Sequence, residues 1–224
     1  MEVRIENKDM NWTPDRLVIA GYTAKDQDAA RKHIEELKEL GVPAPPRIPM
    51  LYDLTPSLLT SDSTISVVNN HSSGEVEVVL LNIEGTRYLG LGSDHTDRIL
   101  EAVSIQKSKQ VCPKPISKEL WKLDEIEERI GEIELRSWMT INGEEALYQE
   151  GKLSSFLSPE ELLQIVEERG YNSSNLALFC GTPPLIEGEF IFGEAFRAEL
   201  FDRNLERKIT LSYKVQLLKD AEEE

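Results

Sequence analysis

Apolar and acidic positions alternate in Gly74-Glu75-Val76-Glu77-Val78-Val79-Leu80-Leu81. β-Branched and apolar residues recur there behind a glycine, which predicts a strand. Side chains on a strand alternate faces, so Glu75 and Glu77 share one face, ~7 Å apart, while Val76 and Val78 take the other. Two carboxylates so placed repel unless water or a cation lies between them. A wet face on a half-buried antiparallel strand satisfies the pattern as well as a cation site does.

Other stretches carry their own periods. Leu17 to Tyr22 predict a short buried strand ending at a turn. From Asp26 to Leu40 the period is helical, with Ala30, Ile34, Leu37 and Leu40 on one stripe and Gly41 and Pro43 as stops. His33 borders that stripe with Glu36 three positions on, a spacing that a helix-flank contact explains. Val42 to Pro49 read as a stiff extended arm. Ile65 to Val68 predict a strand, and Leu80 to Leu91 a hairpin turning at Glu84-Gly85-Thr86.

Gly92-Ser93-Asp94-His95-Thr96-Asp97-Arg98 reads as a loop feeding a helix, with Ser93 or Asp94 as its N-cap. Further on, Glu134 to Ile141 predict a strand, and Asn142-Gly143 a type I′ hairpin. Ser158-Pro159-Glu160-Glu161 signal a capped helix ending near Gly170. Ala177 to Cys180 predict a buried strand running into Gly181-Thr182-Pro183. The segments around Phe190 to Phe192, Ala195 to Phe201 and Lys208 to Leu218 are β-rich. Many strands and few helices predict a mixed-β fold with peripheral α-helices.

Composition narrows the function classes. The formal net charge of −16 argues against nucleic-acid binding and against docking on anionic lipid. No apolar run approaches the ~18 residues of a membrane span. No basic start followed by an apolar segment marks a secretion signal, so the expected location is cytoplasmic. Cys112 and Cys180 are then expected as reduced thiols. An anionic small substrate needs local help in so acidic a chain. A bound divalent ion and a few placed Lys or Arg residues would supply it. Lys107 and Lys109, close after the Asp–His–Asp–Arg turn, are candidates.

The order of these pieces is similar to that of the fumarylacetoacetate hydrolase superfamily. A Glu-x-Glu strand is followed by an Asp turn with Arg98 four residues on, then a Lys-Ser segment ending in Cys112-Pro113. An Asn-Gly-Glu hairpin with a nearby Gln, a capped helix and a strand into Gly181-Thr182-Pro183 complete the set. The resemblance covers about Leu17 to Val215. The wording of Gly-Ser-Asp-His-Thr-Asp-Arg and Ser-Lys-Gln-Val-Cys-Pro-Lys-Pro is similar to a mostly bacterial branch of the superfamily without an assigned reaction.

The resemblance implies a fumarylacetoacetate hydrolase-like β-roll. One catalytic domain is expected over residues 1–224, with an N-terminal strand, helix and arm at 17–60 and a β-rich core at 61–218. It implies that Glu75, Glu77 and Asp94 bind a divalent cation. Oxygen ligation makes Mg²⁺ the first choice and Mn²⁺ the second. It places Arg98 and Thr182 against substrate, and a catalytic lysine at Lys107, with Lys109 as the alternative facing the substrate. His33 with Glu36 matches a His-x-x-Glu pair that activates water.

The expected activity is metal-dependent C–C bond hydrolysis of a small 2-oxo acid of acylpyruvate type through a stabilised enolate. The alternatives are a lyase, whether hydratase, dehydratase or decarboxylase, and a non-catalytic ligand-binding member of the fold. A homodimer is expected. Glu101 stands where a glutamine often follows the turn arginine, which alters the charge of the substrate pocket.

Overall fold

The computed structural model describes residues 1–28, 31 and 45–221. The expected helix over Asp26 to Leu40, with His33 and Glu36, falls beyond its first residues outside the described ones.

Strand β6 (Val76–Ile83) and strand β7 (Thr86–Ser93) form the expected hairpin. The two-residue turn at Glu84 and Gly85 has positive φ at both positions, the geometry that matches the twist of flanking strands. β6 also pairs with β11 (Asn175–Phe179), which runs parallel to β3 (Arg16–Gly21). β4 (Met50–Leu54) closes that edge. On the other side, β7 pairs with β8 (Glu119–Lys122). β8 in turn runs parallel to β1 (Glu2–Ile5), the first strand of a hairpin with β2 (Lys8–Asn11). The eight-stranded order is β2-β1-β8-β7-β6-β11-β3-β4.

A five-stranded sheet packs against it. Its order is β10 (Glu144–Lys152), β9 (Glu134–Ile141), β12 (Ala195–Asp202), β13 (Arg207–Leu218) and β5 (Thr64–Val68). Asn142 and Gly143, both at positive φ, make the expected turn between β9 and β10. Phe190 to Phe192, expected as β-rich, form no strand.

The period-2 pattern explains why the large sheet is buried on both faces. Val76, Val78 and Leu80 face the five-stranded sheet and meet Leu135, Phe196, Leu200, Leu211 and their neighbours. Val79, Leu81 and Ile83 face the other way and pack with Ile19, Phe179, Tyr52, Trp12 and Val3. Each large aliphatic or aromatic side chain so buried stabilises the fold by roughly 1.5–3 kcal/mol. Glu75 and Glu77 have the parity of Val79, so they sit at the end of this second face.

Besides the helical residues Gln27, Asp28 and Arg31, three short α-helices among the described residues are peripheral. α1 (Arg98–Glu101) is capped by Asp97, whose carboxylate accepts from the Leu100 N–H at 2.8 Å. The expected caps, Ser93 and Asp94, serve elsewhere because β7 continues through Ser93. α2 (Ile105–Gln110) is capped by Ser104. α3 (Pro159–Glu168) carries the expected Ser158–Glu161 capping box. Cys112 and Cys180 are free, buried thiols. No described helix is long and apolar enough to cross a membrane.

Candidate active site

Hairpin register brings the acids together. β6 pairs with β7 so that Val76 faces Ser93 and Glu77 faces Gly92. One step outward, Asp94 N–H donates to Glu75 O at 2.9 Å. Gly92 leaves the space opposite Glu77 to Phe179 and Val79, both of which would lie 2.6 Å from a Cβ there. Glu77 is 3% exposed, and its Oε2 accepts from the Gly181 N–H at 2.7 Å. Its side chain is therefore not the wet face of a strand. Glu75 is half-buried and open to the same cleft.

Lys109, from α2, inserts its ammonium among these carboxylates and donates to Asp94 Oδ2. Lys114 is fully buried behind Asp94, with Nζ 3.4 Å from Asp94 Oδ1, and donates to the carbonyls of His95, Lys109 and Cys112. Burial alone would push Asp94 up, but Lys109 and then Lys114 more than reverse it and hold the carboxyl below its usual range. Burial likewise opposes the Lys109 charge, and Asp94 followed by Glu75 outweighs it. Burial raises Glu75, against the pull of Arg98, and raises Glu77 well above the usual range, with Asp94 adding to the effect. Lys114 is lowered by burial, with Asp94 opposing.

The helical phase of α2 decides between the two candidate lysines. Ser108 and Lys109 point inward, whereas Lys107 is exposed and lies outside the cleft. The expectation that Lys107 reaches the site is thus corrected to Lys109.

Arg98 is also placed differently from the expectation. Its guanidinium meets Glu75 Oε2 at 3.2 Å and Glu101 Oε2 at 2.9 Å, and its Nε donates to Ser73 Oγ at 2.7 Å. It lies 3.9 Å from the ring centroid of Phe190. These partners hold the side chain, 6% exposed, against Glu75 and Glu101 rather than presenting it to a ligand.

Thr182 lines the cleft, and its Oγ1 accepts from Gln149 Nε2 at 2.7 Å. That leaves the hydroxyl hydrogen free for another acceptor. Tyr52 lines the same cleft, with Lys109 Nζ 5.7 Å from its ring centroid, and burial pushes its phenol up to about 12. The cleft holds about 320 Å³, the scale of a small organic acid.

Gln149 and Lys114 belong to the motifs that carry the resemblance, but no role was expected of either, and Tyr52, which follows the arm, carried no specific sequence signal. His95 lies beneath the site, with Nδ1 3.0 Å from Tyr213 Oη and Nε2 2.9 Å from Ser72 Oγ. Burial, reinforced by Lys114, lowers it to about 3, so it is a neutral structural imidazole. His33 and Glu36 lie outside the described residues.

The donor set of Glu75, Glu77 and Asp94 is all oxygen and fits a hard divalent cation in its chemistry. Its arrangement is not a closed cage, and among the described residues no group of three His, Cys, Asp or Glu is already disposed around one ion position. Lys109 occupies the positive centre. Lys109 and a cation held by these three acids would share the Asp94 carboxylate.

A family model described as "Protein of unknown function (DUF2848)" matches residues 20–213. No curated protein matches the chain in sequence. Solved structures do match in fold. Cg1458 aligns with TM-score 0.65 at 16% identity over 92% of this chain and 78% of its own. A 2-keto-3-deoxy-D-arabinonate dehydratase complexed with magnesium and 2,5-dioxopentanoate aligns with TM-score 0.67 at 16% identity, over 93% and 75%. A hexagonal crystal form of 2-keto-3-deoxyarabinonate dehydratase gives TM-score 0.68 at 14% identity, over the same shares. The observed fold is the fumarylacetoacetate hydrolase-like fold that the order of motifs predicted.

Proposed function

We propose that this chain, a member of the family described as "Protein of unknown function (DUF2848)", is a divalent-metal-dependent enzyme acting on a small 2-oxo acid. The observation that carries the reading is the convergence of Glu75, Glu77 and Asp94 on one positive centre beside a cleft of small-molecule size. Glu75, Glu77 and Asp94 would hold the ion, Mg²⁺ first and Mn²⁺ second. A dehydratase of the same fold solved with magnesium and 2,5-dioxopentanoate supports both the metal and the substrate class. The bound cation would supply Lewis acidity toward the adjacent carboxylate and keto oxygens of a 2-oxo acid.

The chain's own residues supply the rest. Lys109 holds a proton at Nζ in the cleft, and on releasing Asp94 it is free to neutralise charge developing on substrate oxygen. Thr182, accepting from Gln149, has a hydroxyl hydrogen to give to the substrate carboxylate. Tyr52 stays protonated at neutral pH and can donate as well.

C–C bond hydrolysis is the leading reaction, with His33 polarised by Glu36 as the base that takes a proton from water. Dehydration is the second reading. It is favoured by Lys109, a proton carrier already in the cleft. The chain is further proposed to act as a homodimer, which sedimentation at micromolar concentration tests.

The deciding experiment is calorimetric titration of metal-stripped protein with Mg²⁺, with and without oxalate. Oxalate binding only in the presence of the cation is expected. No cation binding would overturn the reading and leave a non-catalytic ligand-binding protein.

A further inference from the structure

We infer that the substrate carries one carboxylate, the one beside its keto group, and that Glu101 excludes acids with a second, distal carboxylate. The inference rests on the metal-dependent 2-oxo-acid reading above. Among the described residues lining the cleft, the charged groups are Glu75, Glu77, Glu101 and Lys109. Counting also Asp94 and the buried Arg98 and Lys114 that touch these acids, four carboxylates face three cations, so a divalent ion leaves one positive charge, which the carboxylate next to the keto group neutralises. No described cation on the wall then remains for another negative charge.

Arg98 is the neighbouring candidate for that task, and it is consumed. Its guanidinium is shared between Glu75 and Glu101, its Nε donates to Ser73, and the Phe190 ring covers it. Glu101 therefore acts against a second carboxylate by neutralising the arginine that would otherwise answer an anionic ligand.

The remaining walls suit an uncharged chain. Ile19, Ala20, Ile105 and Phe156 are apolar, and Thr23 with Tyr52 brings hydroxyl groups. A 2-oxo acid with an alkyl or hydroxylated tail finds partners there, and a diacid does not.

The test compares 2-oxovalerate with 2-oxoglutarate, acids of equal carbon number in which a carboxylate replaces the terminal methyl. Both are titrated calorimetrically into the full chain with saturating Mg²⁺, beside an oxalate titration. In the unaltered protein 2-oxovalerate is expected to bind about tenfold more tightly or better. E101Q is expected to narrow that gap by raising the affinity for 2-oxoglutarate. The readout is the ratio of the two affinities, so general weakening of the site does not imitate the result.

Cation-dependent oxalate binding with equal affinities for the two acids would overturn this inference and leave the metal reading standing. Absence of oxalate binding would overturn the metal reading and this inference with it. A gap that E101Q leaves unchanged would remove Glu101 as its cause. The titrations of the unaltered protein stand whether or not E101Q folds.

Discussion

Lys114 Nζ lies 3.4 Å from Asp94 Oδ1, and neither side chain has exposed surface. An ion pair taken wholly out of water is not automatically stabilising, because desolvation offsets the attraction. Removing Lys114 leaves Asp94 paired with Lys109 alone. In K114M the buried carbonyls of His95, Lys109 and Cys112 lose their donor. The expected loss is about 1–3 kcal/mol of unfolding free energy, read from urea melts. A loss below about 1 kcal/mol would show that Lys114 is not what holds the Asp94 turn.

At the proposed metal site Lys109 and the cation would compete for the same carboxylates, so K109M should separate binding from turnover. With the ammonium gone, Mg²⁺ affinity is expected to rise on the order of tenfold, while turnover of any 2-oxo acid substrate is lost. Calorimetry and an activity screen on the same preparation check both halves. Mg²⁺ affinity that stays the same or falls would mean that lysine and ion do not share a site. K107A is the contrasting variant. It should change stability by no more than about 0.5 kcal/mol and leave the Mg²⁺ titration as it was, because Lys107 is exposed.

Gly181 joins the two halves of the site through its N–H to Glu77 Oε2. Its φ of +105° is a backbone state that side chains resist, and a Cβ would stand 1.9 Å from Thr23 Oγ1. G181A must shift Thr23 or twist the backbone, at an expected cost of roughly 1–3 kcal/mol. Thermal unfolding measures that cost. The displaced N–H should also weaken Mg²⁺ binding by loosening Glu77. Unchanged stability would mean that the Thr23 side chain moves aside freely.

Much of this site was legible where local chemistry leaves one answer. Asn142-Gly143 fixed a hairpin and its register, Ser158 to Glu161 fixed a helix start, and Glu-x-Glu on a strand put two acids on one face. The meeting of Glu75 with Asp94 needed only the two-residue turn at Glu84 and Gly85. Matching the Lys-Ser segment of the resemblance points to Lys107 and carries no helical phase. Read as a helix capped by Ser104, the segment places Ile105, Ser108 and Lys109 on one face at i, i+3 and i+4, and Lys107 off it. Arg98 was unreadable for another reason. Whether an arginine meets a ligand or its own neighbours depends on Phe190, ninety-two positions away.

Gln149 uses every hydrogen-bonding group that its side chain has. Its carbonyl accepts from Val76 N–H at 2.9 Å and Ser137 Oγ at 3.0 Å, and its amide donates to Thr182 Oγ1 at 2.7 Å and Pro183 O at 2.8 Å. It thereby ties the acidic strand to the threonine on the far wall of the cleft. Q149L leaves a buried N–H without a partner, an expected loss of about 1–3 kcal/mol. Thr182 would then be free to turn, so oxalate affinity in saturating Mg²⁺ should fall while Mg²⁺ affinity alone holds. If Gln149 acts through Thr182, T182V should weaken oxalate binding in the parent chain and add nothing to Q149L. Additive losses in that double-mutant cycle would show two independent contributions, and Gln149 would then be a brace for the fold alone.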